Sequence, residues 1–233
     1  MIKAVLFDLD GTLLDRDASL LAFIDRQYDR LEEWVGHVPK ERFVSRFIEL
    51  DNRGYVWKDK VYEQLIAEYE IQGISQEALL QDYITEFKNH CMPFPSLLAM
   101  LKRLKERSIP MAIISNGKGQ FQLDNIKALK IESYFDAILI SEWENMKKPD
   151  VRLFHRALDR LQVAPSESVF IGDHPENDVA AARNTGMKAL WKKDPLWSEP
   201  DSDGVIDDLM EVVEWLETIQ GSSSLKVLDE KSC

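Results

Sequence analysis

The chain has few cysteines and no long apolar run. Its two cysteines, Cys91 and Cys233, show no CxxC or other metal-type spacing, so neither a disulfide framework nor a zinc-cysteine site is expected. The apolar start, MIKAVLF, ends at Asp8 and is too short for a secretion signal or a membrane span, and no later run is long enough. These absences predict a cytoplasmic protein that does not enter a membrane.

Positive charge is also scarce. Lys and Arg total 29 against 41 Asp and Glu, which gives a formal net charge of -12. Such a surface repels nucleic acid and anionic membranes, so neither is expected as a partner. It also repels an anionic substrate at long range, and any phosphate site must therefore supply its own positive potential.

Short apolar runs, each followed by a polar residue or glycine, predict strands that are buried on both faces, as in a parallel sheet. The runs are Ala4–Phe7, Met111–Ile114, Ala137–Ile140, Val169–Ile171 and Ala189–Trp191. Helical stripes of apolar residues separate them from about Phe94 onward. This alternation predicts a doubly wound, Rossmann-like α/β sheet.

Residues 15–92 follow a different pattern. They show four helical stripes without a strand, separated by breaks at Gly36–Pro39, Asn52–Gly54 and Gly73–Ser75. The pattern predicts a four-helix cap inserted after the first strand, with residues 1–14 and 93–220 forming a discontinuous α/β core. Residues 221–233 begin with GSSS and are expected to form a disordered tail.

The segment DLDGT, residues 8–12, follows the first strand directly. Residues two apart in an extended chain face the same side, so Asp8 and Asp10 both point to the crevice at the carboxyl end of the sheet. Two carboxylates suit Mg²⁺ and allow one to act as a nucleophile and the other as a general acid/base. The competing interpretation, a turn with solvated aspartates, is less favoured directly after a buried strand.

Three further segments follow later strands or precede a helix. Ser115-Asn116-Gly117 offers a hydroxyl and free backbone N–H groups at a helix N-terminus, which suits phosphate, although Ser and Asn are also ordinary capping residues. Lys148 precedes a proline that favours an extended backbone, so it is either a fixed positive charge or a solvated lysine. Asp173 would complete a metal site, with Asp178 acting through water or by orienting Lys148; the alternative is a capped turn.

Taken together, DLDGT, ISNG, KKPD and GDHPEND resemble the motifs of the haloacid dehalogenase-like hydrolase superfamily, in that family's order and over residues 1–219. The inserted helices resemble its C1-type cap. The resemblance implies that Asp8 is the nucleophile and Asp10 the general acid/base. It implies phosphate-holding residues, namely Thr12, Ser115, the Asn116 backbone and Lys148. It implies Mg²⁺ bound by Asp8, the Asp10 carbonyl and Asp173, and Asp178 is expected to support this site.

The predicted function is Mg²⁺-dependent hydrolysis of a small phosphorylated metabolite. Arg53 and Tyr55, in the break between the middle cap helices, are candidate substrate-selecting residues, and an ordinary exposed loop is the equal alternative. A haloacid dehalogenase is a rival, although such enzymes lack the second aspartate. A sugar phosphomutase shares the motifs, and a phosphorylation-controlled binding module resembling a receiver domain combines similar residues. The substrate and the oligomeric state stay open.

Overall fold

The computed structural model describes residues 1–219, and it contains a six-stranded sheet. The strands are β1 (Ala4–Phe7), β2 (Met111–Ser115), β3 (Ala137–Ile140), β4 (Ser168–Gly172), β5 (Lys188–Lys192) and β6 (Gly204–Ile206). Their order is β3-β2-β1-β4-β5-β6, and every neighbouring pair is parallel. The predicted doubly wound α/β fold is therefore confirmed.

All the predicted strands are present, and β6 is the strand that the sequence pattern missed. It has three residues, of which Ile206 alone is buried. A run this short carries no apolar pattern that distinguishes a strand from a loop.

Residues Asp15–Met92 form one compact unit, and Met1–Leu14 with residues 93–219 form the other. The first of these units is helical. Its helices are α1 (Arg16–Arg30), α2 (Glu32–Val35), α3 (Lys40–Asp51), α4 (Lys58–Tyr69) and α5 (Gln76–Glu86). The four predicted stripes correspond to α1, α3, α4 and α5, and the single-turn α2 was not predicted.

The helices of the α/β unit separate its strands along the chain. They are α6 (Leu97–Glu106), α7 (Gly119–Ala128), α8 (Ser141–Glu144), α9 (Val151–Leu161), α10 (Ala181–Asn184) and α11, described over residues 211–219. In α9, Asp150 caps the first turn by accepting a hydrogen bond from the Arg152 N–H at 3.0 Å. The apolar face of α9 joins the core beneath the sheet.

The parallel register brings the carboxyl ends of the central strands to one edge. Phe7 of β1 lies opposite Ile113 of β2 and Ile171 of β4. The residues that follow these strands therefore meet at the point where the strand order reverses, which is where open α/β sheets bind ligands.

Among residues 1–219, no helix combines the length and the apolar character needed to cross a bilayer. The predicted tail at residues 221–233, which includes Cys233, lies outside the described residues.

Candidate active site

Asp8 and Asp173 are held at the sheet edge by backbone hydrogen bonds. The Asp8 N–H donates to the Ile171 carbonyl at 2.9 Å, which continues the β1–β4 ladder by one residue. The Asp173 carbonyl accepts a hydrogen bond from Trp191 Nε1 at 2.7 Å. Both aspartates are buried, so their carboxylates project from fixed backbone positions.

A tight turn after Asp8 brings the chain against Asp173. Gly11 adopts the left-handed conformation, with φ at 84°. A Cβ on Gly11 would lie 2.6 Å from Asp173 Oδ2, closer than any side chain permits. Thr12, which follows, donates through its hydroxyl to Asp173 Oδ1 at 3.4 Å. Glycine is therefore required here by both the backbone conformation and the approach of the Asp173 carboxylate.

Lys148 lies between two buried carboxylates. Its Nζ is 2.5 Å from Asp8 Oδ1 and 2.7 Å from Asp178 Oδ1. Burial by itself would lower the pKa of Lys148, but the charges of Asp178 and Asp8 outweigh it and raise the pKa above the usual value. The side chain is therefore a fixed cation rather than a solvated lysine.

For the carboxyl groups of Asp8 and Asp173, burial outweighs the opposing effect of the lysine charge on the pKa. Burial is the main cause that raises the pKa of Asp8 well above its usual value; the Lys148 charge opposes it, and Asp178 adds to it. Burial, followed by the charge of Asp178, raises the pKa of Asp173 to about 7. Three acidic groups thus share the compensation that one ammonium group provides.

The acidic groups are close enough to share a cation. One oxygen from each of Asp8, Asp173 and Asp178 lies within 4.8 Å of the others. Asp178 is already committed through both oxygens, since Oδ1 accepts from Lys148 and Oδ2 accepts from the His174 N–H at 3.0 Å. Hard oxygen donors with excess negative charge fit Mg²⁺, and Asp178 is placed to orient Lys148.

Asn116 holds Lys148 from the backbone side. Its Oδ1 accepts from the Lys148 N–H at 2.8 Å, and its Nδ2 donates to the Lys148 carbonyl at 3.0 Å. The sequence predicted a role for the Asn116 backbone and did not anticipate this side-chain clamp. The pair of hydrogen bonds fixes the main chain from which the Lys148 side chain extends.

The predicted phosphate cradle differs from expectation in one respect. The Gly117 N–H is not free, because it donates to Ser141 Oγ at 2.9 Å. Helix α7 begins only at Gly119, whose N–H donates to Glu142 Oε2 at 2.7 Å. Ser141 and Glu142, both on α8, therefore accept hydrogen bonds from these two backbone N–H groups. The Ser115 hydroxyl, at the end of β2, stays a candidate phosphate contact.

Gln122 is a site residue that the sequence analysis missed. It is buried on α7, and its Nε2 donates to Asp10 Oδ2 and, at 2.9 Å, to Ser115 Oγ. A signal was available, because Gln122 and Asn125 are amides three residues apart that share the buried side of α7 with Ile126. Polar side chains on a buried helix face need hydrogen-bond partners from elsewhere in the fold.

Arg53 and Tyr55 belong to the helical unit. Arg53 has a left-handed backbone and lies 4.0 Å from Asp17 through its guanidinium, while Tyr55 is 61% exposed. The turn that carries them is held by Asp51, which accepts hydrogen bonds from Arg16, Lys58 and the Gly54 N–H. The loop is therefore anchored at its base, with its tyrosine presented to solvent.

Comparison with known proteins identifies the family. Residues 5–192 match the haloacid dehalogenase-like hydrolase family. The chain belongs to this family. It is 30% identical to a glyceraldehyde 3-phosphate phosphatase of Pyrococcus furiosus, over 95% of each chain. The resemblance inferred from the four motifs is confirmed, and the protein is a hydrolase of this family.

Two solved structures show how the family varies. A HAD phosphatase from Thermococcus onnurineus superimposes with a TM-score of 0.66 at 25% identity, covering 92% of this chain and 98% of that one. A 2-haloacid dehalogenase from Pseudomonas syringae superimposes with a TM-score of 0.61 at 27% identity, covering 94% and 99%. The same fold thus occurs in a phosphatase and in a dehalogenase, so the site residues must distinguish the two activities.

Proposed function

We propose that this protein is a Mg²⁺-dependent phosphatase that hydrolyses small phosphate monoesters through an aspartyl phosphate on Asp8. The observation that carries the proposal is the buried Asp8 carboxylate, paired with Lys148 at 2.5 Å and grouped with Asp173 and Asp178. Asp10, two residues on, supplies the second acidic group that phosphate ester cleavage needs.

The first step is an in-line attack. An Asp8 oxygen forms a bond to phosphorus while the bond from phosphorus to the substrate oxygen breaks, and Asp10 donates a proton to that leaving oxygen. In the second step Asp10 takes a proton from water, the water oxygen bonds to phosphorus, and the bond to Asp8 breaks. Inorganic phosphate leaves, and both aspartates return to their initial states.

Charge compensation is the main task of the surrounding residues, because the phosphoryl oxygens carry negative charge throughout. Lys148 supplies a buried positive charge beside Asp8, and the hydroxyls of Thr12 and Ser115 and the Asn116 backbone are proposed phosphate contacts. Asp8, the Asp10 carbonyl and Asp173 would hold Mg²⁺, which supplies the Lewis-acid charge that lets anionic Asp8 approach an anionic phosphate.

The rival functions differ in features of this site. Asp10 argues against a dehalogenase, whose reaction has no leaving oxygen to protonate. The family match spans the helical insertion, which argues against a receiver-like binding module. A phosphomutase would use the same residues, and it is distinguished by its product, since it returns a phosphorylated sugar instead of free phosphate.

The unit Asp15–Met92 is proposed to act as the cap that selects the substrate, with Arg53 and Tyr55 as its selecting residues. Replacing both with Ala is expected to slow turnover of the preferred metabolite while sparing p-nitrophenyl phosphate. Equal rates of wild type and variant on the metabolite would remove this loop as the selector.

The proposed setting is the cytoplasm, with neither nucleic acid nor membrane as a partner.

A screen of phosphorylated metabolites with MgCl₂ tests the function, read out as released inorganic phosphate. Glyceraldehyde 3-phosphate comes first, because a relative with 30% identity is named for it. Sugar phosphates, nucleoside monophosphates and phosphoglycolate follow, and halide release from 2-haloacids is measured in parallel. Phosphate release that depends on Asp8 is expected; halide release, or a folded protein inactive on every ester, would overturn the proposal.

A further inference from the structure

Gln122 contacts two proposed site residues and has no role in the mechanism above. It lies on α7, and its side chain is almost completely buried. One nitrogen, Nε2, donates to Asp10 Oδ2, which follows β1, and to Ser115 Oγ, which ends β2, the latter at 2.9 Å; the Asn116 carbonyl is a third and longer acceptor at 3.3 Å. A single amide thus links residues from two segments that are distant in sequence.

The orientation of this amide is fixed by a second one. Asn125 Nδ2 donates to Gln122 Oε1 at 3.1 Å from the next turn of α7, and Asn125 is buried as well. With Oε1 committed to Asn125, the NH₂ group of Gln122 must face Asp10 and Ser115. The reversed amide would place an oxygen against the Asp10 carboxylate and an N–H donor against the Asn125 donor, and both contacts are unfavourable.

The backbone makes room for the Gln122 side chain at Gly117. A Cβ at Gly117 would lie 2.9 Å from Gln122 Cγ and 3.0 Å from Nε2. A larger residue at position 117 would force the Gln122 side chain to shift. Gly117, Gln122 and Asn125 are therefore arranged around the same pair of hydrogen bonds.

We infer that Gln122 is a positioning residue for both halves of the proposed reaction, an inference that rests on the proposed phosphatase function. Through Asp10 it holds the general acid/base in a fixed rotamer at the leaving oxygen. Through Ser115 it donates to the hydroxyl oxygen, and the hydroxyl proton, whose acceptor here is the Asn116 carbonyl at a long 3.5 Å, is left to turn to a phosphate oxygen. Gln122 itself neither gives nor takes a proton, since an amide has no titration in this range.

The contribution of Gln122 is geometric and differs between substrates. A displaced Asp10 hinders proton delivery, and a misplacement of about 1 Å costs on the order of 10²-fold in rate. An alkyl phosphate needs its leaving oxygen protonated, whereas p-nitrophenolate leaves without that help. The loss at Gln122 should therefore depend on the leaving group, which a general loosening of the fold would not produce.

Gln122→Met tests the inference, because it keeps the length of the side chain and removes the donor. Against an alkyl phosphate, with glyceraldehyde 3-phosphate as the first choice, kcat is expected to fall by about 10-fold or more. The fall in single-turnover rate on p-nitrophenyl phosphate is expected to be several times smaller. Gln120→Ala is the matched control on the same helix, where Gln120 is exposed and bonds to Asp124; its rates should equal those of wild type.

Two further variants decide between positioning and structure. Gln122→Glu keeps the size and the Asn125 contact and turns a carboxylate toward Asp10, so it should show the same selective loss even if Gln122→Met fails to fold. Asn125→Ala frees the amide to turn, and it should add little to Gln122→Met, because both act through one contact. Equal losses on both substrates, no loss in a folded Gln122 variant, or additive effects of the two positions would overturn the inference.

The wild-type enzyme separates this inference from the function on which it rests. If the wild type releases no phosphate from any monoester, the proposed function is wrong, and the inference that depends on it is wrong as well. If the wild type releases phosphate and the Gln122→Met variant does so at the same rate, the inference alone is wrong.

Discussion

At the scale of single residues, one ammonium group faces two buried carboxylates. Lys148 Nζ lies 2.5 Å from Asp8 and 2.7 Å from Asp178, and all three side chains are almost fully buried. The pair of carboxylates keeps the lysine charged, and the lysine charge opposes the rise in the pKa of Asp8 that burial causes. The proposed function and the stability of the fold are therefore expected to depend on the same three side chains.

Asp8→Asn is expected to abolish phosphate release, because an amide oxygen does not form the covalent intermediate. The fold should survive, since Lys148 keeps its contact with Asp178. Release of ³²P-phosphate from a labelled substrate measures the first effect, and thermal unfolding measures the second. Turnover close to wild type in the folded variant would contradict the assignment of Asp8.

Lys148→Met is expected to destabilise the protein as well as inactivate it. Removing one partner of a buried ion pair typically costs about 3–5 kcal/mol, because the remaining charge is buried without compensation. Urea denaturation at pH 7 measures the free energy of unfolding. Adding Asp178→Asn to this variant removes one of the stranded carboxylates and should restore part of the loss; a double variant no more stable than Lys148→Met would argue against this account.

At the scale of elements, the turn after β1 decides whether the acidic groups meet. Its glycine serves two needs at once, a left-handed backbone at Gly11 and the 2.6 Å approach of Asp173. At Gly186 only the first of these needs is present. Gly186 also has a positive φ of 90°, yet the nearest atom to a Cβ there, on Pro165, is 3.5 Å away.

Gly11→Ala is therefore expected to lose both stability and activity, while Gly186→Ala loses stability alone. The left-handed conformation costs each alanine roughly 1–2 kcal/mol. At Gly11 the methyl group must also push the Asp173 carboxylate away, which disturbs the proposed Mg²⁺ ligand. Urea denaturation and phosphate release should be measured on both variants. Activity retained by Gly11→Ala at the level of Gly186→Ala would show that the Asp173 contact does not matter.

At the scale of the whole molecule, the acidic site sits within a chain of net charge -12. The surface repels anions, so binding of a phosphate ester depends on local positive charge. Lys148 is one such charge, and a divalent cation held by Asp8 and Asp173 would be the other. Metal binding should therefore show itself in stability as well as in turnover.

EDTA is expected to abolish phosphate release, and added Mg²⁺ to restore it. Mg²⁺ should also raise the unfolding temperature, since a ligand at about 100 times its Kd adds about 2.7 kcal/mol to the folded state. Asp173→Asn should remove this shift, while Asp159→Asn, an exposed aspartate on α9, should keep it. Full activity after exhaustive chelation would rule out the metal requirement.

The local signals in the sequence were sufficient for five of the six described strands, for the four longer helices of Asp15–Met92 and for the four motifs. Continuous apolar runs such as Ala4–Phe7 predict buried parallel strands, and a motif that follows such a strand is placed at the sheet edge by the fold rules alone. Asp8, Asp10 and Asp173 could be selected in this way, and Lys148 by its place before a proline and a predicted helix. A local pattern carries this information because the geometry of a strand or helix determines the spacing of its apolar and polar residues.

The tertiary structure alone decided which side chains share a bond. Asn116 holds the backbone of Lys148, Ser141 takes up the Gly117 N–H that looked available for phosphate, and Gln122 joins Asp10 to Ser115. These partners are up to 112 residues apart in sequence. A hydrogen bond depends on distances of a few tenths of an ångström between groups that only packing brings together, and no local pattern in a single sequence specifies such distances.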